Sequence, residues 1–231
     1  MHIRPMRKNK NGSGRSEDSG AAAAGTAIEG RSMEIIEAEV PEPRPFHGRE
    51  WLVVRRMIHA TADFELLDLA EFSAGAVETG IAALKNGCAV FADTRMCAAG
   101  LVSRRFEPLG CKVVCYVDSP EAAAAADENG TTRAAAAVDI AAEHDRPEVW
   151  VIGNAPTALI RLMELVRSGR AKPKIIIGMP VGFVSSAESK AELASTAPAP
   201  FLTIRGRKGG SPAAAAAANA LAAMALEDEP R

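Results

Sequence analysis

Two continuous apolar runs, each ending at a glycine, constrain this chain more than any other feature. The first reads Val149-Trp150-Val151-Ile152-Gly153-Asn154-Ala155-Pro156-Thr157 and the second Ile175-Ile176-Ile177-Gly178-Met179-Pro180-Val181-Gly182-Phe183. A short run that is apolar at every position predicts a strand buried on both faces, as a parallel sheet covered by helices requires. Glycine then lets the backbone turn sharply and present its N–H groups at the carboxyl edge of the sheet. In open α/β sheets that edge is where ligands bind. The two loops are therefore predicted to wall a binding site.

Three further segments read as short strands: Cys88-Ala89-Val90-Phe91-Ala92, Lys112-Val113-Val114-Cys115-Tyr116-Val117 and Phe201-Leu202-Thr203-Ile204-Arg205. Segments of helix length lie around them, at residues 74–86, 120–129, 133–143, 156–168 and 212–226. Alternation of this kind predicts a three-layer α/β/α fold with a mainly parallel sheet of about five strands and right-handed crossovers. Ser119-Pro120 and Ser211-Pro212 each place a capping side chain before a proline suited to a first helical turn. Ser185-Ser186-Ala187-Glu188 has the sequence of a capping box. The alanine tracts at 122–126, 134–137 and 213–218 fall inside predicted helices, where they favour helix and permit close packing.

Residues 1–30 carry no strand or helix periodicity and lack the apolar centre of a secretory signal, so they are expected to form a disordered tail. Residues 31–231 then make a single domain, and a 48% hydrophobic composition suffices for its core. A formal net charge of −2 argues against a nucleic-acid partner. No apolar run approaches the roughly 20 residues that span a bilayer, so no membrane partner is expected. Cys88, Cys97, Cys111 and Cys115 show no paired metal-ligand spacing, which predicts buried free thiols in a reducing, cytoplasmic setting. Four scattered histidines give no reason to expect a metal. Neither GxxxxGK[ST] nor a GxGxxG after a strand is present, so the usual nucleotide signatures are missing.

Three constellations could carry chemistry. His59 stands near the end of an apolar helix, where the carbonyl end of the dipole favours a protonated imidazole and a general acid. A histidine that only caps that helix would look the same in sequence. In Gly130-Thr131-Thr132-Arg133, Thr132 is placed to cap the following alanine-rich helix, which puts Arg133 in its first turn, where the dipole opposes a cation unless an anion is bound. The segment Arg205-Gly206-Arg207-Lys208-Gly209-Gly210-Ser211 leads basic and glycine residues into a helix N-terminus, a composition suited to an anion cradle. Solvated side chains and an ordinary loop would explain the last two equally well. Together the three suggest an acidic ligand without naming a reaction.

Resemblance goes further. The segments Arg56-Met57-Ile58-His59-Ala60-Thr61-Ala62-Asp63, Asp93-Thr94-Arg95-Met96, Asn129-Gly130-Thr131-Thr132-Arg133, Ile152-Gly153-Asn154-Ala155-Pro156-Thr157, Gly178-Met179-Pro180-Val181-Gly182-Phe183-Val184, Ala187-Glu188-Ser189-Lys190 and Arg205-Gly206-Arg207-Lys208-Gly209-Gly210-Ser211 follow one another in order. Together they closely resemble the precorrin-8X and cobalt-precorrin-8 methylmutase family, from about residue 31 to the last helix. The resemblance implies an isomerase that moves a methyl group from C-11 to C-12 of a corrin precursor, giving cobyrinic or hydrogenobyrinic acid in vitamin B12 biosynthesis.

It also implies a homodimer that needs no cofactor, has active sites near the subunit interface, and can hand its product to the next pathway enzyme. The family's catalytic histidine falls on His59, which would protonate or hydrogen-bond a ring nitrogen during the shift. Substrate-contacting positions would be Ser32, Thr61, Arg133, Asn154, Lys190, Arg205 and Arg207. The chain departs from the usual pattern at Cys97-Ala98-Ala99-Gly100 and at residues 196–200, both expected to lie near the site. Two other readings fit parts of the pattern: a tetrapyrrole-binding protein without catalysis, and an α/β enzyme acting on a phosphorylated metabolite.

Overall fold

The computed structural model describes residues 16–227, in two units that divide after Glu42. The first unit holds helix α1 (Ser16–Glu39). Residues 16–30 of the expected tail are thus helical, in keeping with the alanines at 21–24, while residues 1–15 lie outside the described ones.

The second unit begins with α2 (Gly48–Thr61), the short α3 (Leu66–Leu69), β1 (Ala70–Phe72), α4 (Ala76–Lys85) and β2 (Ala89–Ala92). Next come α5 (Arg95–Gly100), α6 (Ser103–Phe106), β3 (Lys112–Val114), α7 (Pro120–Asn129), α8 (Arg133–His144) and β4 (Val149–Ile152). The chain ends with α9 (Pro156–Arg167), β5 (Ile175–Gly178), α10 (Ser186–Thr196), β6 (Phe201–Ile204) and α11 (Ser211–Glu227).

Among the described residues the sheet has six strands in the order β1-β6-β5-β4-β2-β3, parallel except for β1. All five expected strands are present. The addition is β1, which pairs antiparallel with β6 through Ala70–Ile204, Glu71–Thr203 and Phe72–Leu202. Three residues with a glutamate at the centre carry no strand signal of their own, so only β6's open edge makes this segment a strand.

Alternation along the strands divides the core. Trp150, Ile152 and Ile176 face the layer formed by α7, α8, α9 and α10. On the opposite face, α11 packs against α2, α4, α5 and α6. Every residue of β4 and β5 is buried, as their unbroken apolar runs require. The tract at 213–218 lets α11 approach closely, and a Cβ on Gly100 would lie 2.7 Å from Ala215 Cβ.

Two expected caps form: Ser119 and Thr132 accept from the N–H groups of Ala122 at 3.0 Å and Ala135 at 3.1 Å. Two do not. Ser185 takes a left-handed conformation (φ 59°) without a side-chain cap, because the turn beyond β5 enters α10 from that direction. The neighbouring Ser186 hydroxyl instead donates to the Pro180 carbonyl at 2.7 Å. Ser211 is itself the first residue of α11, and its hydroxyl lies 3.4 Å from Thr94 Oγ1. Residues 196–200 also depart from expectation. They precede β6 and so lie at the amino edge of the sheet, a full strand length from the carboxyl-edge loops.

Candidate functional site

From β2 the chain moves outward to β3, then returns to the other side of β2 as β4. That reversal leaves a crevice beyond the carboxyl ends of β2 and β4, where open α/β sheets bind ligands. Asp93 follows β2 directly and is completely buried. Its carboxylate accepts the backbone N–H groups of Gly153 (3.0 Å), Asn154 (2.8 Å) and Ala155 (2.7 Å). Burial pushes this carboxyl above its ordinary range, and the three N–H donors pull it back. Asp93 thereby fixes the turn after β4 and leaves Asn154 exposed at the crevice. A Cβ on Gly153 would lie 2.7 Å from Ser211 Cα, so glycine alone lets α11 begin this close to the turn.

On the α8 and α9 side, Thr132 Oγ1 and Thr157 Oγ1 lie 2.8 Å apart and hold two helix N-termini next to each other. Arg133, in the first turn of α8, is exposed beside them. N–H groups at adjacent helix starts with a guanidinium make an anion-favouring rim.

On the α2 side, His59 is half-buried in the last turn of its helix, which closes with the Ala62 N–H donating to the Ile58 carbonyl at 2.7 Å. Thr61 and Asp63 line a cleft of about 210 Å³ together with Val181, Lys208 and Gly209. Lys208 Nζ contacts Asp63 at 2.7 Å and Glu65 at 3.0 Å, tying the basic loop to the segment after α2. Those carboxylates, Asp63 foremost, raise the lysine above its ordinary range. The Gly210 N–H donates to the Met179 carbonyl at 2.9 Å, which joins the basic loop to the turn after β5. Arg207 stacks over Phe183, 5.4 Å from its ring centre, and Phe183 is 83% exposed.

Lys190 and Arg205 lie toward β1, lining a separate groove of about 380 Å³ with Glu71 and Gly206. Lys190 is only 1% exposed, and its amine donates to the Lys208 carbonyl. Arg205 donates to the Asp68 carbonyl. The expected contact residues therefore fall into three groups along one edge: Asn154 with Arg133, Thr61 with the Arg207–Lys208 turn, and Lys190 with Arg205. Ser32 belongs to the N-terminal unit, where its hydroxyl donates to the Ile28 carbonyl at 3.0 Å within α1.

Asp93 had no role assigned from sequence; a lone carboxylate directly after an apolar strand and opposite a glycine turn is its signal. Lys208, read as one cation of the anion cradle, is instead paired with carboxylates. Its partners Asp63 and Glu65 are about 145 residues away in sequence, so no spacing rule connects them.

Burial holds the Lys190 amine at about 8, down from 10.5. A depressed lysine makes the folded state release its proton before the unfolded state does. Stability should therefore rise with pH across about 8 to 10.5, by about 3 kcal/mol relative to Lys190→Met. Urea unfolding of both proteins at several pH values across that window checks this, and parallel pH curves would oppose it.

An open, mostly parallel sheet with a switch-point crevice and cationic carboxyl-edge loops defines an α/β protein suited to an acidic small-molecule ligand. The model of the family precorrin-8X methylmutase matches residues 27–224. A cobalt-precorrin-8 methylmutase from Priestia megaterium is 42% identical over 198 residues, covering 86% of this chain and 87% of the relative. A precorrin-8X methylmutase from Pseudomonas aeruginosa is 44% identical over 199 residues, covering 86% of this chain and 95% of the relative. The crystal structure of precorrin-8X methylmutase from Thermus thermophilus superposes with a TM-score of 0.79 at 44% identity, covering 87% of this chain and 98% of that one. The chain belongs to the precorrin-8X methylmutase family.

Proposed function

We propose that the protein is an intramolecular methyl transferase of vitamin B12 biosynthesis, moving a methyl group from C-11 to C-12 of precorrin-8 or cobalt-precorrin-8. The observation that carries this reading is the family match over residues 27–224. The product would be hydrogenobyrinic or cobyrinic acid, which then passes to the next pathway enzyme. Conversion of the corrin chromophore, followed by its absorption spectrum with metal-free and cobalt-loaded substrate, tests it. No spectral change with either substrate would remove the reading.

The proposed chemistry asks little of the protein beyond positioning and one proton. A methyl shift conserves atoms, so a proton lent to the ring must come back, and a single acid–base group can do both. We assign that role to His59. The half-buried imidazole stands in the last turn of α2, two residues before Thr61, which lines the cleft. Asn154, Arg133 and Arg207 would bind the peripheral carboxylates, with Thr61, Lys190, Arg205 and Ser32 as further contacts. An intramolecular shift balances without a methyl donor or a redox partner, and we propose no cofactor, as the family resemblance implies. We place the protein in the cytoplasm, a reading supported by its free cysteines.

A homodimer is the proposed assembly. Phe183 and Val184 are more than 80% exposed on the carboxyl-edge turn, and Met96 is 72% exposed beyond β2, an apolar surface suited to a second copy. A solution mass equal to that of one chain would oppose it.

Affinity for a polycarboxylate should depend on the cationic rim. Charge-assisted hydrogen bonds contribute about 1.5–3 kcal/mol each, so Arg133→Ala or Arg207→Ala should weaken binding about ten- to a hundredfold. The loss should shrink as salt rises, and lysine should restore only part of it. Titrating the corrin chromophore at low and high salt measures this. Equal affinity in wild type and both variants would take the two arginines out of the site.

A further inference from the structure

At the amino edge of the sheet, remote from the crevice, the fold sets two thiols against each other. Cys88 directly precedes β2 and Cys111 directly precedes β3. The two strands run parallel with Ala89 beside Lys112, which puts Cys88 beside Cys111 one residue earlier. The Lys112 N–H donates to the Cys88 carbonyl at 3.1 Å, so the ladder already holds at this point. Neighbouring residues on paired strands share a face at about 4.8 Å, inside the Cα separation of about 4.4–6.8 Å that a disulfide needs. Both cysteines thus enter adjacent parallel strands at the same level of the ladder.

The approach is built into both entry loops. Gly87 and Gly110 each take φ +69° immediately before their cysteines, and a Cβ on Gly87 would lie 3.2 Å from the Leu109 carbonyl oxygen. Cys111 also donates to the Leu84 carbonyl at 3.3 Å. The two cysteines are 9% and 7% exposed, so an oxidant that reaches them has to be small.

We propose that Cys88 and Cys111 form a dithiol modification site, which hydrogen peroxide converts to a disulfide fastening edge strand β3 to β2. Cys111 is the attacking sulfur. The neighbouring Cys88 thiol draws the Cys111 thiol below its ordinary range while Cys88 itself is raised, so Cys111 supplies the thiolate. The thiolate attacks one peroxide oxygen, the O–O bond breaks, hydroxide leaves, and Cys111 becomes a sulfenic acid. The Cys88 sulfur then attacks the Cys111 sulfur, the S–O bond breaks, and the departing hydroxide carries the Cys88 proton away as water. Two thiols are oxidised and one peroxide is reduced.

The linkage would close a loop of about two dozen residues that contains α5 and α6, and among the described residues β3 has no sheet neighbour but β2. Thermal unfolding should therefore rise by about 5–10 °C on oxidation.

Peptide mapping of the full chain under non-reducing conditions, after equimolar peroxide and after dithiothreitol, tests the site. Expected are a single Cys88–Cys111 linked pair, a fall from four free thiols to two, the thermal shift, and reversal of all three by dithiothreitol. In Cys88→Ser, Cys111 should persist as a sulfenic acid, read as the mass of one added oxygen on its peptide. Peroxide-treated wild type with no linked pair, or with Cys97 joined to Cys115, would overturn the proposal. That mapping decides even if the serine variant does not fold.

Discussion

His59→Ala should lower the rate of methyl migration by about 10²–10⁴-fold while leaving most of the affinity for the corrin substrate. Proton transfer by one placed side chain contributes about that factor, whereas binding is spread over many rim contacts. The substitution should also leave the fold intact. His59 is only half-buried, while α2 packs against α11 and keeps Val53, Val54 and Met57 fully buried. Single-turnover rates and chromophore titration together separate the two effects. A variant that binds poorly yet converts what it binds at the normal rate would make His59 a binding residue and leave the proton donor unassigned.

Asp93→Ala should cost about 3–5 kcal/mol of stability, a large share of what a domain this size has. Removing the carboxylate leaves the N–H groups of Gly153, Asn154 and Ala155 without their acceptor in a buried turn. Each such loss costs about 1–3 kcal/mol, offset in part because a carboxylate no longer has to be desolvated. Asp93→Asn should be nearly as damaging, since its amide sets a donor against donors. Catalysis should fall as well, because the turn that carries Asn154 at the crevice is no longer fixed. Urea unfolding measures the first effect and single-turnover rates the second. A loss below about 1 kcal/mol would mean that the turn is set by its glycine contact with Ser211 instead.

Legibility in the sequence followed the range of the interactions. The strands over 149–152 and 175–178 were readable because burial on both faces demands an apolar residue at every position, and that demand is local. The same holds for Ser119 and Thr132, whose hydroxyls reach N–H groups three residues ahead. Ser185 failed the same rule because its backbone follows the turn beyond β5, and the Ser186 hydroxyl has the Pro180 carbonyl within reach. Strand β1 had no pattern of its own, since a strand of three residues exists only through the partner it pairs with.

For the site, sequence by itself determined the materials: glycine turns after buried strands, cations leading into helix starts, and a histidine at the end of an apolar helix. It also carried the family resemblance, because so many ordered segments match. Tertiary structure alone decided how those materials are grouped. It sets Lys208 against Asp63 and Glu65, sends the Lys190 amine to the Lys208 carbonyl, and closes Asp93 over the turn that bears Asn154. The physical reason is separation along the chain. A cap or an apolar run is fixed by neighbours within a few residues, whereas these contacts join strands, helices and loops that only the order of the sheet brings to one edge.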